Sequence, residues 1–138
     1  MKQIVISDTT LCKEGSAYTF KEKIEISRQL ERLNVDVIEL PEIQNGKTDI
    51  LLVRTVSSFV KNSILSVAVG MGANSLENAL AALSAAARPR IRVELPVSPV
   101  GMEYFCHKKP PKMLEHIGDL VSTAKKTVAD VEFCAVDA

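Results

Sequence analysis

The chain has 138 residues, enough for one domain with a real core, and its 17 basic and 17 acidic residues cancel to a net charge of zero. That balance argues against a nucleic-acid partner, and the absence of Trp argues against a base-stacking surface. No apolar run approaches the ~18 residues that span a bilayer and the first residues form no signal peptide, so a cytoplasmic protein without a membrane partner is expected.

Residues 2–11 are rich in β-branched side chains and read as a strand that ends in Asp8-Thr9-Thr10. Thr19 and Glu22 have the spacing of a capping box. Behind them Ile24, Ser27, Leu30 and Leu33 fall on one face of a helix, with Asn34 as its stop. Residues 35–40 read as a buried strand closed by Pro41, and 49–60 as a second helix with Thr48 as a possible cap. A third strand over 63–69 meets the breaker Gly70-Met71-Gly72, a short glycine pair that is a weak phosphate-binding signal. Asn74 or Ser75 starts an Ala/Leu-rich helix through 87, and Pro89 enforces a break. A fourth strand over 91–97, a loop over 98–111, a helix from 111 or 112 to 126 and a fifth strand over 130–136 complete the chain.

The strands begin near residues 2, 35, 63, 91 and 130, a repeat of roughly 30 residues, and eight such units make the ~250 residues of a (β/α)8 TIM barrel. The strands look apolar on both faces, which predicts a parallel sheet covered on both faces. The fold class is α/β. Two architectures fit the alternation: the first five strands of a TIM barrel, or an open doubly wound sheet. The first strand–helix turn lacks a Gly-x-Gly-x-x-Gly fingerprint, which weakens a dinucleotide-binding version of the second. Cys12, Cys106 and Cys134 are odd in number and lack Cys-x-x-Cys spacing, so free thiols are expected. Cys12 and Cys134 both fall at strand ends, yet no motif places a His beside them as a base. His107-Lys108-Lys109 is a small basic cluster read as a solvated loop, and His116 is read as a surface residue beside Glu115.

Four segments carry a resemblance. Asp8-Thr9-Thr10-Leu11 closes the first strand. Glu22-Lys23-Ile24 is followed by Leu33-Asn34-Val35-Asp36-Val37-Ile38-Glu39 and Pro41. Arg92 through Ser98 leads into Met102-Glu103-Tyr104. Val131-Glu132-Phe133-Cys134-Ala135-Val136-Asp137-Ala138 ends the sequence. In this order and spacing they resemble the acyl-CoA/2-keto acid condensing and lyase family, which includes isopropylmalate synthase, homocitrate synthase and hydroxymethylglutaryl-CoA lyase. The resemblance covers essentially the whole chain. It implies parallel (β/α) units equivalent to the first five strands of a TIM barrel, an incomplete barrel that forms a single domain over 1–138.

The resemblance also implies an acyltransferase chemistry, the Claisen-type condensation of acetyl-CoA with a 2-keto acid held by a divalent metal. Hard oxygen donors and imidazole suit such a metal. In the family Asp-Thr-Thr-Leu or its equivalent leads into Arg-Asp-Gly, whose Asp binds the metal and whose Arg stabilises negative charge. Here Cys12 stands at the Arg position and Lys13 at the ligand position, and an ammonium repels a cation. Gly101 stands where the fourth-strand loop usually has His, and Val136 where the fifth strand usually has Glu. Neither His107 nor His116 forms the His-x-His that supplies two further ligands on a seventh strand, and strands six to eight are not in this sequence.

Lys13 and Glu39 are therefore the candidate catalytic residues, and Asp8 and Ser98 the candidate substrate-binding ones. Asp8 and Asp137 also suit acceptor roles in the turns after their strands. A one-residue bulge after the first strand would turn Glu14 into a metal ligand and Lys13 into the cationic stabiliser. The expected protein is a divergent or truncated homocitrate/isopropylmalate synthase-like chain that does not run the condensation alone. A separate C-terminal half or a homodimer is the expected partner, because five open strands leave edges uncovered. The other readings are a non-catalytic or ligand-binding partner subunit, and an unrelated flavodoxin-like small-molecule-binding domain.

Overall fold

Thr19 opens the first helix as its spacing with Glu22 predicts. In the computed structural model, which describes residues 2–13 and 17–138, α1 runs over Phe20–Arg32. The Glu22 N–H donates to Thr19 Oγ1 at 3.3 Å, and the Thr19 N–H donates to Glu22 Oε2 at 2.7 Å. Two of the four orphan N–H groups that a helix start exposes are thus satisfied reciprocally. Thr19→Ala is expected to cost about 1 kcal/mol in urea-induced unfolding. Ser27 and Leu30 are buried on the predicted face, but Leu33 is 73% exposed, because it is already the C-terminal cap residue. Asn34 then takes a left-handed conformation at φ 55°, which Asn tolerates better than most residues.

The first strand, β1, is only Ser7–Asp8, far shorter than the predicted 2–11. Before it, the Ile6 carbonyl accepts the N–H groups of Asp36 and Val37, and the Ile6 N–H donates to the Asp36 carboxylate at 2.7 Å. After it, the Asp8 carboxylate accepts the Thr10 N–H at 3.0 Å and the Thr10 hydroxyl at 3.2 Å, which turns the chain into a 3-10 turn over Thr10–Cys12. Competition from that local acceptor ends the strand.

The remaining elements follow in order: β2 (Val37–Leu40), α2 (Gly46–Ser57), β3 (Ile64–Val69), α3 (Ser75–Ala82), β4 (Pro89–Pro96), α4 (Pro110–Lys125) and β5 (Asp130–Val136). Helix α2 starts at 46 rather than 49, because Asp49 reaches back to the N–H groups of Gln44 at 3.0 Å and Asn45 at 2.8 Å. Helix α3 ends at Ala82 rather than 87; the Ser84 hydroxyl caps the Ala81 carbonyl at 3.0 Å and the chain turns toward Pro89. The predicted loop over 98–111 contains a wide helical turn, Gly101–Phe105, closed by the Cys106 N–H on the Gly101 carbonyl.

The sheet is parallel throughout and its strand order is β1-β2-β3-β4-β5. A doubly wound sheet reverses its strand order at a switch point. No reversal occurs here, so the flavodoxin-like alternative gives way to a half-barrel with helices between the strands. Ile38, Leu40, Leu65, Val67, Val69, Ile91, Val93 and Leu95 alternate along β2 to β4 and are almost fully buried, in one core with Val53, Val56, Leu76, Ala79 and Met113 from the helices. The expectation of strands apolar on both faces fails. The opposite face carries Ser7, Glu39, Ser66, Arg90, Arg92, Glu94, Asp130 and Glu132, brought alongside one another by the register. No described helix is long and apolar enough to cross a membrane.

Candidate functional site

Period-two alternation puts Arg92 on this polar face of β4, and the register sets it beside Ala68 of β3, whose small side chain leaves room. The Arg92 side chain is 4% exposed. Burial of a charge at this depth requires partners from several strands. Nε donates to Glu94 at 2.5 Å, and Nη1 donates to Glu39 at 3.1 Å and to the Ser66 hydroxyl at 3.2 Å. Nη2 faces the Leu40 carbonyl at 3.5 Å and Cys12 Sγ at 3.9 Å. The second oxygen of Glu39 accepts a hydrogen bond from the Ser7 hydroxyl. One side chain therefore ties together β1, β2, β3, β4 and the turn that follows β1. Burial works against its charge, but the Glu94 and Glu39 carboxylates more than offset that and hold the guanidinium charged above its usual range.

Beside this network a cleft of ≈ 570 Å³ opens at the C-terminal ends of β1 and β2. Lys13, Lys23, Glu42 and Gln44 supply its polar wall, and Leu11, Ile43, Leu52 and Val53 its apolar wall; Arg92, Glu39 and Glu94 form its base. The C-terminal end of the strands is the face on which barrels assemble their sites.

The structure brings some of the sequence candidates together and separates others. Lys13 and Glu39 share the cleft. Asp8 is spent on Thr10, in the turn role available to it from the sequence. Ser98 lies after β4, where its hydroxyl accepts the Gly101 N–H at 3.0 Å and so holds the wide turn. Glu14 lies outside the described residues. Asp137 is exposed at φ 57°. Burial pushes the Cys12 thiol up, with the Arg92 charge opposing in part; burial and then the Glu94 charge push the Cys134 thiol up. Neither is poised as a thiolate nucleophile. Gly70 and Gly72 do form a cradle for an anion, but the anion is internal: the Gly72 N–H donates to Glu42 at 3.3 Å, and a Cβ on Gly70 would stand 2.7 Å from the same carboxylate.

Arg92, Glu94 and Ser66 escape a reading based on family motifs. The signal for them is charge at every second position of β4, Arg90-x-Arg92-x-Glu94, matched by Asp130-x-Glu132 on β5. The donor set for a divalent metal is a poor fit. Among the described residues, no group of three or more His, Cys, Asp or Glu is arranged to hold an ion, and the two carboxylates nearest the cleft base are committed to Arg92.

Comparison with known proteins places these observations in a lineage. The HMGL-like family matches residues 3–138. The chain is 34% identical to a 2-isopropylmalate synthase of Shouchella clausii (strain KSM-K16) over 142 residues, covering 100% of this chain and 28% of that protein. It is 34% identical over 141 residues to the 2-isopropylmalate synthases of Heliobacterium modesticaldum (strain ATCC 51547 / Ice1) and Aquifex aeolicus (strain VF5), covering 99% of this chain and 28% and 27% of those proteins. The chain thus spans little more than a quarter of the length of the relatives it matches.

Proposed function

Because the chain belongs to the HMGL-like family, we propose that it is a ligand-binding half-barrel of the 2-isopropylmalate synthase type that does not by itself carry out the family condensation. The cleft would take a small carboxylate such as a 2-keto acid, with the Lys13 and Lys23 ammonium groups toward the carboxylate and the Leu11, Ile43, Leu52 and Val53 wall toward an aliphatic tail. The observation that carries the reading is the commitment of Arg92, Glu39 and Glu94 to one another at the cleft base. Proton transfer from the acetyl methyl group needs an available base, and stabilisation of the resulting negative charge needs an available donor. Glu39 has both oxygens engaged, one by Arg92 and one by Ser7.

The reading includes a partner, either a separate half or a second copy of this chain. What supports it is the pair of open edges at β1 and β5, with Ile4, Val5, Ile6 and Phe133 exposed on or beside them. In isolation, the chain is expected to release no free CoA from acetyl-CoA in the presence of a panel of 2-keto acids, followed by thiol-reactive dye. Calorimetry of the same acids should detect binding that weakens about fivefold or more in Lys13→Ala, the loss of one charge-assisted contact. Steady CoA release by the chain alone overturns the non-catalytic part; equal affinity in Lys13→Ala overturns the assignment of the cleft.

A further inference from the structure

We propose that the Arg92 guanidinium is a built-in counter-cation of the half-barrel mouth, supplying from within the chain the positive charge that this end of the sheet would otherwise draw from a divalent metal. The argument is one of donor accounting. A guanidinium has five N–H groups in a fixed planar fork. Here five acceptors surround it: Glu94 and Glu39 carboxylates, the Ser66 hydroxyl, the Leu40 carbonyl and the Cys12 sulfur. No N–H is left to greet a substrate, so Arg92 is a positioning residue rather than a catalytic one.

The acceptors come from four chain segments, and two of them are carboxylates on β2 and β4, which flank β3. Without the guanidinium, those two partly buried carboxylates would face the space it now fills and repel each other. Such a pair is what a hard divalent ion binds well. With the guanidinium in place, an incoming ion would have to displace a fork already satisfied at every N–H. Cys12 completes the arrangement: a short side chain at this turn lets Arg92 reach across from β4, where a longer cation at position 12 would meet it head-on. The loss of Arg at 12 and the presence of Arg at 92 are then two halves of one exchange.

This inference depends on family membership for the expectation of a metal, and not on ligand binding in the cleft. Its test therefore omits acetyl-CoA and keto acids. The protein is titrated calorimetrically with Mg²⁺, Mn²⁺ and Zn²⁺ separately, as wild type and as Glu39→Gln, with circular dichroism as the check on folding. The expected result is the same metal affinity in both, since Glu39 serves Arg92 and not an ion. A loss of about tenfold or more in Glu39→Gln overturns the proposal. Arg92→His, which leaves Glu39 and Glu94 and adds an imidazole, is expected to gain a Mn²⁺ or Zn²⁺ site that Glu39→Gln then removes. A folded Arg92→His protein that gains none also overturns it, and if that variant does not fold the Glu39→Gln comparison decides alone.

Discussion

Arg92→Met is expected to lower stability by about 3–5 kcal/mol in urea unfolding, because it strands two partly buried carboxylates without a counter-charge. Against a total of about 5–15 kcal/mol for a typical domain, that is a loss able to unfold a sizeable fraction of the molecules. The mechanism can be separated from a loss of packing volume. Methionine keeps most of the aliphatic stem that Arg92 buries, so the dominant effect is electrostatic. If stranded charge is the cause, the triple variant Arg92→Met, Glu39→Met, Glu94→Leu recovers most of the loss, since replacing a whole buried ion cluster by apolar groups is close to neutral. If the triple variant is less stable than the single one, packing and not charge holds the mouth together. Arg92→Lys falls between them: the charge is kept, but three donors replace five and the planar fork is lost.

Glu31→Ala is expected to cost about 2–3 kcal/mol at neutral pH, well beyond an ordinary surface substitution. The Glu31 carboxylate, near the end of α1, accepts three consecutive N–H groups: Lys61 at 3.0 Å, Asn62 at 2.8 Å and Ser63 at 3.1 Å. These belong to the connection that leads from α2 into β3, so one side chain fixes the entry of a central strand. Burial pushes the carboxyl up, but the N–H groups of Asn62, Lys61 and Ser63 outweigh it, and the group sits below the ordinary 4.5. The sign of the pH dependence follows. A carboxyl depressed in the folded state contributes its full stability above its unfolded pKa and loses it as pH falls through the folded value. The stability gap between wild type and Glu31→Gln should therefore be constant above about pH 5 and should close in more acid solution. A gap that persists unchanged in acid would show that the charge of Glu31 is not what holds the connection.

What the sequence disclosed depended on whether the decisive contact was local. The Thr19–Glu22 capping box spans four residues, the left-handed stop at Asn34 one, and the Asp8 turn three; each is legible because its chemistry lies within one turn of chain. The five parallel strands followed from the roughly 30-residue repeat. The boundaries of α2 and α3 shifted because Asp49 and Ser84 redirected single hydrogen bonds, and nothing in the periodicity registers such a competition. The base of the site is the part least legible in the sequence. Cys12 and Arg92 are 80 positions apart and Glu39 and Arg92 are 53 apart, and only the strand order brings them together. Charge at every second position of β4, Arg90-x-Arg92-x-Glu94, is the one local sign of a polar inner face.

Family motifs therefore located the mouth of the half-barrel, through Asp8 to Lys13 and Glu39, but did not say what fills it. Ser98 shows the same limit from the other side. Its place at the end of β4 suggests contact with substrate, and its hydroxyl also accepts the Gly101 N–H and so holds the backbone of the next turn.

Gly101 carries a constraint of its own. A Cβ at this position would stand 2.6 Å from Pro96 Cβ and 3.0 Å from the Ser98 hydroxyl. The turn leaves no space for a side chain here, so any single substitution, His included, meets Pro96 before it meets any ligand. A residue with a side chain at 101 therefore requires Pro96 or the turn to change with it, since neighbours that touch do not act independently. The shape of this end of the half-barrel is held by two positions together, and neither can be redesigned alone.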